Sequence, residues 1–143
     1  MSFLRLALVL LASALPLGVL AQSADGPVSK LSVELNAVQD VGEACRLSFL
    51  VENLTATTID EAIFETVIFD TAGGVVTLSL FDFRDLPVGR PRVRQFDLPG
   101  MACDALGRAL INGSSSCIVN GAESGVCQEA LLLSSRVDVE LLG

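Results

Sequence analysis

The feature that most constrains the fold of this chain is an alternation of apolar and polar residues, repeated in short runs. Leu31, Val33 and Leu35 alternate with polar neighbours, and the same period of two residues recurs from Cys45 to Val51. A period of two places every second side chain on one face of a strand, whereas a helix needs a period near 3.6. The alternation therefore predicts half-buried β-strands.

Turn signals separate these runs. Gly73 and Gly74 readily take the positive φ angles of a tight hairpin, and Pro87 marks a later turn. The predicted strands cover residues 31–36, 45–52, 62–69, 75–83, 92–98, 106–112 and 136–142, with one helical turn over 128–133. Seven short strands joined by turns predict an all-β fold, an immunoglobulin-like antiparallel β-sandwich.

The N-terminal segment has the three-part layout of a secretory signal peptide. Arg5 supplies a cation, an apolar run covers 6–15, and Ala21 precedes the expected cleavage point. The run is shorter than the roughly 20 residues of a membrane span. It has no twin arginine before it and no cysteine at the cleavage point, which favours Sec-type export without a lipid anchor. The predicted organisation is a cleaved signal peptide over 1–21, a flexible lead-in over 22–29 and a single domain over 30–143.

Charge and composition exclude several classes of function. Cleavage leaves eight basic residues against seventeen acidic ones, a net charge of −9. Nucleic acids and anionic lipids need clustered cations, so we expect neither as a partner. The chain has no histidine, which excludes Ser–His and Cys–His catalytic pairs. We expect a periplasmic or secreted protein with no cofactor, no metal and no membrane anchor after cleavage.

Four cysteines follow the signal peptide, and an even number in an exported domain predicts disulfides. Cys45 begins the second predicted strand and Cys103 lies between the fifth and sixth, so both lie at one end of the sandwich. Cys117 closes the sixth strand, and Cys127 lies in the loop before the seventh. Other pairings would join opposite ends, beyond the roughly 7 Å between Cα atoms that a disulfide spans. We predict Cys45–Cys103, which staples the body of the fold, and Cys117–Cys127, which is confined to a loop.

Four segments of the chain form a distinctive set: GEACRL at 42–47, FETVIFD at 64–70, LFDF at 80–83 and LPVGRPRVRQFDLPG at 86–100. Together they resemble a family of small exported proteins of alphaproteobacteria. Members often carry the label of a Tat-type signal sequence, which the N-terminus here does not match. The resemblance implies an exported protein and no particular activity. A weaker similarity to FxLYD-like domains, which place a Phe- and Asp-rich strand end before a Leu-Pro-x-Gly turn, implies a β-sandwich.

The arginine-rich segment is a candidate contact surface for an anion or a partner protein. The candidates are Arg90, Arg92 and Arg94, of which the last two share one side of the fifth predicted strand. They are set, with Arg84, among Asp82, Asp85 and Asp97. Guanidinium groups there can bind carboxylates or other anions. The alternative, which we favour, is an edge strand protected by charge. Val93 and Phe96 have opposite parity, so either the strand bulges between them or one of the two is exposed.

Two pairs of acidic residues, Asp60/Glu61 and Asp82/Asp85, are the other candidates for chemistry. They could serve acid–base catalysis or calcium binding, but such pairs arise by chance among seventeen acids, so no catalytic or metal-binding residue is assigned. We predict a non-catalytic binding or accessory module whose partner is an envelope protein. The alternatives are a metal- or carboxylate-dependent hydrolase and an envelope subunit that assembles by strand addition. A binder predicts an exposed apolar or edge-strand patch, a hydrolase converging carboxylates, and a subunit one unpaired apolar edge.

Overall fold

The computed structural model describes residues 29–143, so the predicted signal peptide and all of the lead-in except Ser29 lie outside the described residues. The strands are β1 (Leu31–Val41), β2 (Ala44–Asn53), β3 (Glu61–Asp70), β4 (Val75–Asp82), β5 (Arg92–Pro99), β6 (Leu106–Val119), β7 (Ala122–Glu123), β8 (Leu131–Ser135) and β9 (Glu140–Leu142). A 3-10 turn covers Cys103–Ala105, and the short helix α1 covers Val126–Glu129. Between residues 29 and 143 no helix has the length and apolar character needed to cross a membrane.

The strands form two sheets that pack face to face. The first sheet has the strand order β5-β2-β1-β8, and the second has the order β4-β3-β6-β7 with β9 also paired to β6. Neighbouring strands are antiparallel, except that β8 is parallel to β1 and β9 is parallel to β6. The prediction of an all-β sandwich built mainly from antiparallel strands is confirmed.

The residues that alternate in the sequence also alternate in burial, with apolar side chains in the core and polar ones nearer solvent. Leu31, Val33 and Leu35 of β1 are buried, and the polar residues between them are partly exposed. The same alternation places Phe64 and Ile68 of β3 in the core on the facing sheet. Burial of such side chains stabilises the fold by roughly 25 cal/mol per Å² of apolar surface removed from water.

Five phenylalanines fill one side of this core, where β4 and β5 lie over each other. The Phe49 ring lies at 5.5 to 6.0 Å from three of the others in edge-on arrangements. The rings of Phe81 in β4 and Phe96 in β5 stack at 4.2 Å, joining the two sheets at their edges. The Phe83 ring lies 5.5 Å from that of Phe64 and 5.1 Å from that of Phe96. The arrangement is a single aromatic cluster that both sheets share.

Two strands are longer than predicted. β1 continues to Val41 because a bulge between Leu35 and Ala37 preserves its pairing with β2. β6 continues past its predicted end at residue 112 to Val119, and so includes residues 114–116. β3 pairs with β6 along its full length through three irregularities in register, so the Gly- and Ser-rich segment is held in the sheet by its neighbour. This part of β6 has no apolar alternation, so the sequence did not indicate its pairing with β3.

The last predicted elements are wrong in detail. The helical turn predicted over 128–133 is limited to α1, and Leu131–Ser135 forms β8 beside β1 instead. The N–H of Leu31 donates to the Ala130 carbonyl at 2.7 Å, which ends the helix and starts this pairing. The seventh strand predicted over 136–142 is reduced to Glu140–Leu142. The edge of β1 needs backbone partners, and this requirement outweighs the local preference for a helix.

Both predicted disulfides are confirmed. Cys45 and Cys103 are joined with their Cα atoms 4.8 Å apart, and Cys117 and Cys127 are joined with theirs 6.0 Å apart. The second bond is not confined to a loop, because Cys117 lies within β6 and Cys127 within α1, and both side chains are buried. It therefore fixes α1 against the second sheet. Two disulfides are typical of an oxidising compartment outside the cytoplasm.

Candidate functional site at two neighbouring sheet edges

β5 is the outermost strand of the first sheet, where the sequence analysis expected an edge. Its pairing with β2 is continuous from Arg92 to Pro99, so no bulge separates Val93 from Phe96. Phe96 faces the aromatic cluster, and Val93 points outward with 60% of its surface exposed. Exposure of Val93 therefore resolves the conflict in parity. Arg92 and Arg94 do share one side of the strand, as predicted, and it is the inward side.

Arg94 joins the edges of the two sheets. Its side chain, only 14% exposed, donates from Nε to the Phe83 carbonyl at 2.6 Å and from a terminal nitrogen to the Asp85 carbonyl at 3.0 Å. Burial lowers the pKa of the Arg94 guanidinium, and the carboxylate of Asp85, 3.7 Å away, opposes that shift. Both carbonyls belong to the segment that follows β4, so Arg94 links β5 to the end of the edge strand of the opposite sheet.

The three predicted arginines do not converge. A groove of about 480 Å³ runs along β5 and is lined by Arg46, Asp82, Arg84, Val93, Arg94, Gln95, Phe96 and Asp97. Arg94 belongs to it, whereas Arg90 and Arg92 are absent from its lining. The guanidinium of Arg92 donates instead to the neighbouring Pro91 carbonyl at 3.3 Å. Arg84, which belongs to the same charged segment of the sequence, also lines the groove. Arg46 was missed, because only the fold brings it beside β5.

Arg46 forms a two-pronged ion pair with Asp97 on the outer face of the first sheet. Nε donates to one carboxylate oxygen at 2.7 Å and a terminal nitrogen donates to the other at 2.9 Å. The two residues are directly opposite each other in the β2–β5 register, which the sequence alone does not reveal. Hydrogen bonding from Arg46 holds the pKa of Asp97 below its usual range, and Asp97 raises the pKa of Arg46.

The acidic pairs singled out in the sequence each make structural contacts. Asp60 accepts the backbone N–H of Asn120 at 2.9 Å, and Glu61 accepts the hydroxyl of Ser116. Asp82 accepts a hydrogen bond from the backbone N–H of Arg84 at 2.8 Å. Arg84 has a positive φ of 59°. In the part of the chain that the structure describes, no group of three or more His, Cys, Asp or Glu residues is placed to hold a metal ion.

The other edge, that of β4, has the opposite character. β4 is the outermost strand of the second sheet, and within residues 29–143 no strand pairs with its open side. Residues 75–81 contain no charge and no proline; we call this stretch the β4 edge. Three of its side chains, Val76, Leu78 and Leu80, point outward and are 49%, 53% and 59% exposed.

Main-chain groups of these same residues face the open side. The N–H of Phe83 donates to the Ala62 carbonyl in the direction of β3 at 2.8 Å. Backbone groups of alternate residues in a strand point to the same side, so those of Phe81 and Ser79 also face β3. The N–H and C=O groups of Val76, Leu78 and Leu80 therefore point away from the sheet. The β4 edge offers donors, acceptors and apolar side chains together.

The apolar surface continues from the β4 edge across the outer face of the second sheet. Leu78 pairs with Val67 of β3, Val67 pairs with Leu110 of β6, and Leu110 pairs with Leu142 of β9. Residues opposite one another in a sheet share a face, so these four side chains form one row. Val67 is 9% exposed, which shows how closely its neighbours cover it.

Comparison of the chain with protein-family models, with curated proteins and with solved structures finds no match.

Proposed function

We propose that the protein is an exported, non-catalytic binding module that engages a polypeptide of the cell envelope through the β4 edge. The observation that carries this proposal is an uncharged edge strand whose free backbone groups and apolar side chains face solvent together. An edge of this kind is a template for pairing with another strand, which adds backbone hydrogen bonds and apolar contacts.

Several observations support the other parts of this proposal. The two disulfides and the signal-peptide layout of residues 1–21 agree with export to the periplasm or beyond. An immunoglobulin-like assignment is supported by the strand order, with β1, β2 and β5 in one sheet and β3, β4 and β6 in the other. The resemblance to exported alphaproteobacterial proteins is part of the same proposal.

The β4 edge also favours the second candidate, an envelope subunit that assembles by strand addition, because both functions need an unpaired apolar edge. A hydrolase would need carboxylates that converge and remain free to react. Asp60, Glu61 and Asp82 instead accept hydrogen bonds from Asn120, Ser116 and Arg84.

Site-specific photo-crosslinking tests the proposed function. A photoreactive residue replaces Leu80 in the exported protein, which is then irradiated in an envelope extract. We expect a covalent adduct with a polypeptide, because this side chain is 59% exposed beside the open backbone groups. The matched control is the same replacement at Leu132, 51% exposed on β8, where we expect no specific adduct.

A second variant distinguishes strand pairing from nonspecific hydrophobic association. Leu78→Pro removes an N–H that points away from the sheet, and proline is tolerated at such edge positions. We expect this variant to keep the fold, checked by thermal unfolding, and to lose the adduct at position 80. Equal labelling at positions 80 and 132, or an adduct that survives Leu78→Pro, would contradict the proposal.

A further inference from the structure

The β4 edge is symmetric in residue class about its central residue. The seven residues VVTLSLF at 75–81 read apolar, apolar, hydroxyl, apolar, hydroxyl, apolar, apolar. This order is the same in both directions about Leu78. Gly74 and Asp82 bound the stretch at equal distances from that centre.

Antiparallel pairing of two such strands about Leu78 places like opposite like. Val76 of one copy lies opposite Leu80 of the other, and Leu78 lies opposite Leu78, all on the outward face. On the inward face, Thr77 lies opposite Ser79, and hydroxyl pairs of this kind form favourable cross-strand contacts. Each pair on the outward face also consists of two residues whose backbone groups point into the junction, so each can exchange two hydrogen bonds.

Charge agrees with this arrangement. Two copies of an acidic chain repel each other, but residues 75–81 bring no charge into the junction. Beyond the strand, the same relation places Arg84 of one copy opposite Ala72 of the other, two residues from Asp70 in the β3–β4 hairpin. The same relation places Asp82 of one copy opposite Gly74 of the other, whose N–H donates to Asp70. Charges of both signs therefore lie at the two ends of the junction, and none lies at its centre.

We propose that the polypeptide bound by the β4 edge is a second copy of this chain, joined to the first by antiparallel β4–β4 pairing centred on Leu78. This inference rests on the proposed function and names its partner. Because the pairing is isologous, each copy uses its own β4 edge to cover the other, and assembly stops at two. The joined second sheets form one continuous sheet, and the edge that invites aggregation is buried.

Cysteine crosslinking tests the partner and the register together. In the proposed register the Cα atoms of the two Leu78 residues are about 5.5 Å apart, within reach of a disulfide. We expect Leu78→Cys to form a covalent dimer under mild oxidation, seen by non-reducing electrophoresis. Val76→Cys alone should not, because its two copies are separated by about 13 Å along the strands. A mixture of Val76→Cys with Leu80→Cys should crosslink.

The matched control is Leu132→Cys, which adds an equally exposed thiol on a different edge. We expect Leu78→Cys to crosslink at least about tenfold faster than Leu132→Cys. Equal rates, or efficient crosslinking of Val76→Cys to itself, would overturn the register and the inference.

Sedimentation of the unmodified exported protein gives an independent measurement. We expect the mass of two copies, and we expect Leu78→Lys to raise the dimer dissociation constant by roughly a hundredfold, because two like charges then face each other. Leu132→Lys should leave the constant unchanged. A monomeric protein that still forms a position-80 adduct with another polypeptide would overturn the second copy and uphold the proposed function. A monomer without an adduct would overturn both.

Discussion

β4 and β5 are edge strands of the two sheets and lie beside one aromatic cluster, but the side chains at their exposed surfaces differ in character. On β5, Arg94 reaches across to backbone carbonyls of the other sheet, and Asp97 is paired with Arg46. In the β4 edge, residues 75–81, the most exposed side chains are apolar and no charge occurs. Proline flanks β5 at Pro91 and ends it at Pro99, whereas the β4 edge contains none.

The difference is that β5 is protected against pairing with another strand and β4 is not. Charge, proline and a strand partner are the usual means by which proteins prevent pairing at a sheet edge. β4 and β5 have eight residues each and lie beside the same aromatic cluster. Strand length and position therefore do not explain why only β5 is protected. The apolar sequence of β4 agrees with the proposed binding at the β4 edge.

The largest expected effect on stability comes from a residue of the aromatic cluster that lies beside both edges. Phe83→Ala removes a fully buried ring that contacts Phe49, Phe64 and Phe96. We expect it to lower the free energy of unfolding by about 4 kcal/mol, measured by urea denaturation, because the cavity lies between the sheets. Leu80→Ala is the control and should change stability by less than about 0.5 kcal/mol in the monomer. Comparable losses would mean that the β4 edge is part of the folding core.

Removal of the hydrogen bonds that Arg94 makes at β5 should have the next largest effect on stability. Arg94→Met keeps much of the side-chain volume but leaves the Phe83 and Asp85 carbonyls without this donor. Hydrogen bonds to a charged group predict a loss of about 2 kcal/mol in the free energy of unfolding. Arg92→Met should cost much less, because among the described residues the Arg92 guanidinium makes one hydrogen bond, to the adjacent Pro91 carbonyl. Equal losses would show that Arg94 contributes charge alone.

The two edges were not equally visible in the sequence. The arginines and Pro91 indicated an edge at β5, and the structure places it there. The β4 strand was predicted within one residue of its end, but its position at an edge was not. Pairing between distant strands decides which strand is outermost, and local alternation contains no information about it.

The same limit explains the other differences. The disulfide pairing could be predicted because it needs only the order of strands and the ends at which the cysteines lie. The groove beside β5 could not, because Arg46 meets Asp97 through a register that joins residues 51 positions apart. The length of β6 and the existence of β8 likewise depend on β3 and β1, which supply their hydrogen-bonding partners.

A smaller effect of opposite sign is expected just behind the β4 edge. Thr66 of β3 pairs with Ser79 of β4 and is fully buried, and within residues 29–143 its hydroxyl has no hydrogen-bond partner. Thr66→Val should raise the free energy of unfolding by about 1 kcal/mol, because it removes an unsatisfied buried polar group at constant shape. Thr55→Val is the control: that hydroxyl donates to Asn53 at 2.7 Å, so the same change should destabilise. Stabilisation by both variants, or by neither, would contradict this account.

The smallest effect concerns the ion pair that only the β5 side possesses. Hydrogen bonding from Arg46 lowers the pKa of Asp97 in the folded chain below the value of about 3.9 expected when unfolded. The carboxylate therefore stabilises the fold above that unfolded value, and the contribution is lost as pH falls through the folded pKa. We expect Arg46→Gln to raise the Asp97 pKa in an NMR titration and Asp97→Asn to flatten slightly the fall in stability below about pH 4. An Asp97 pKa unchanged by Arg46→Gln would show that the pair does not persist in solution, and would weaken the contrast between a charged β5 edge and an uncharged β4 edge.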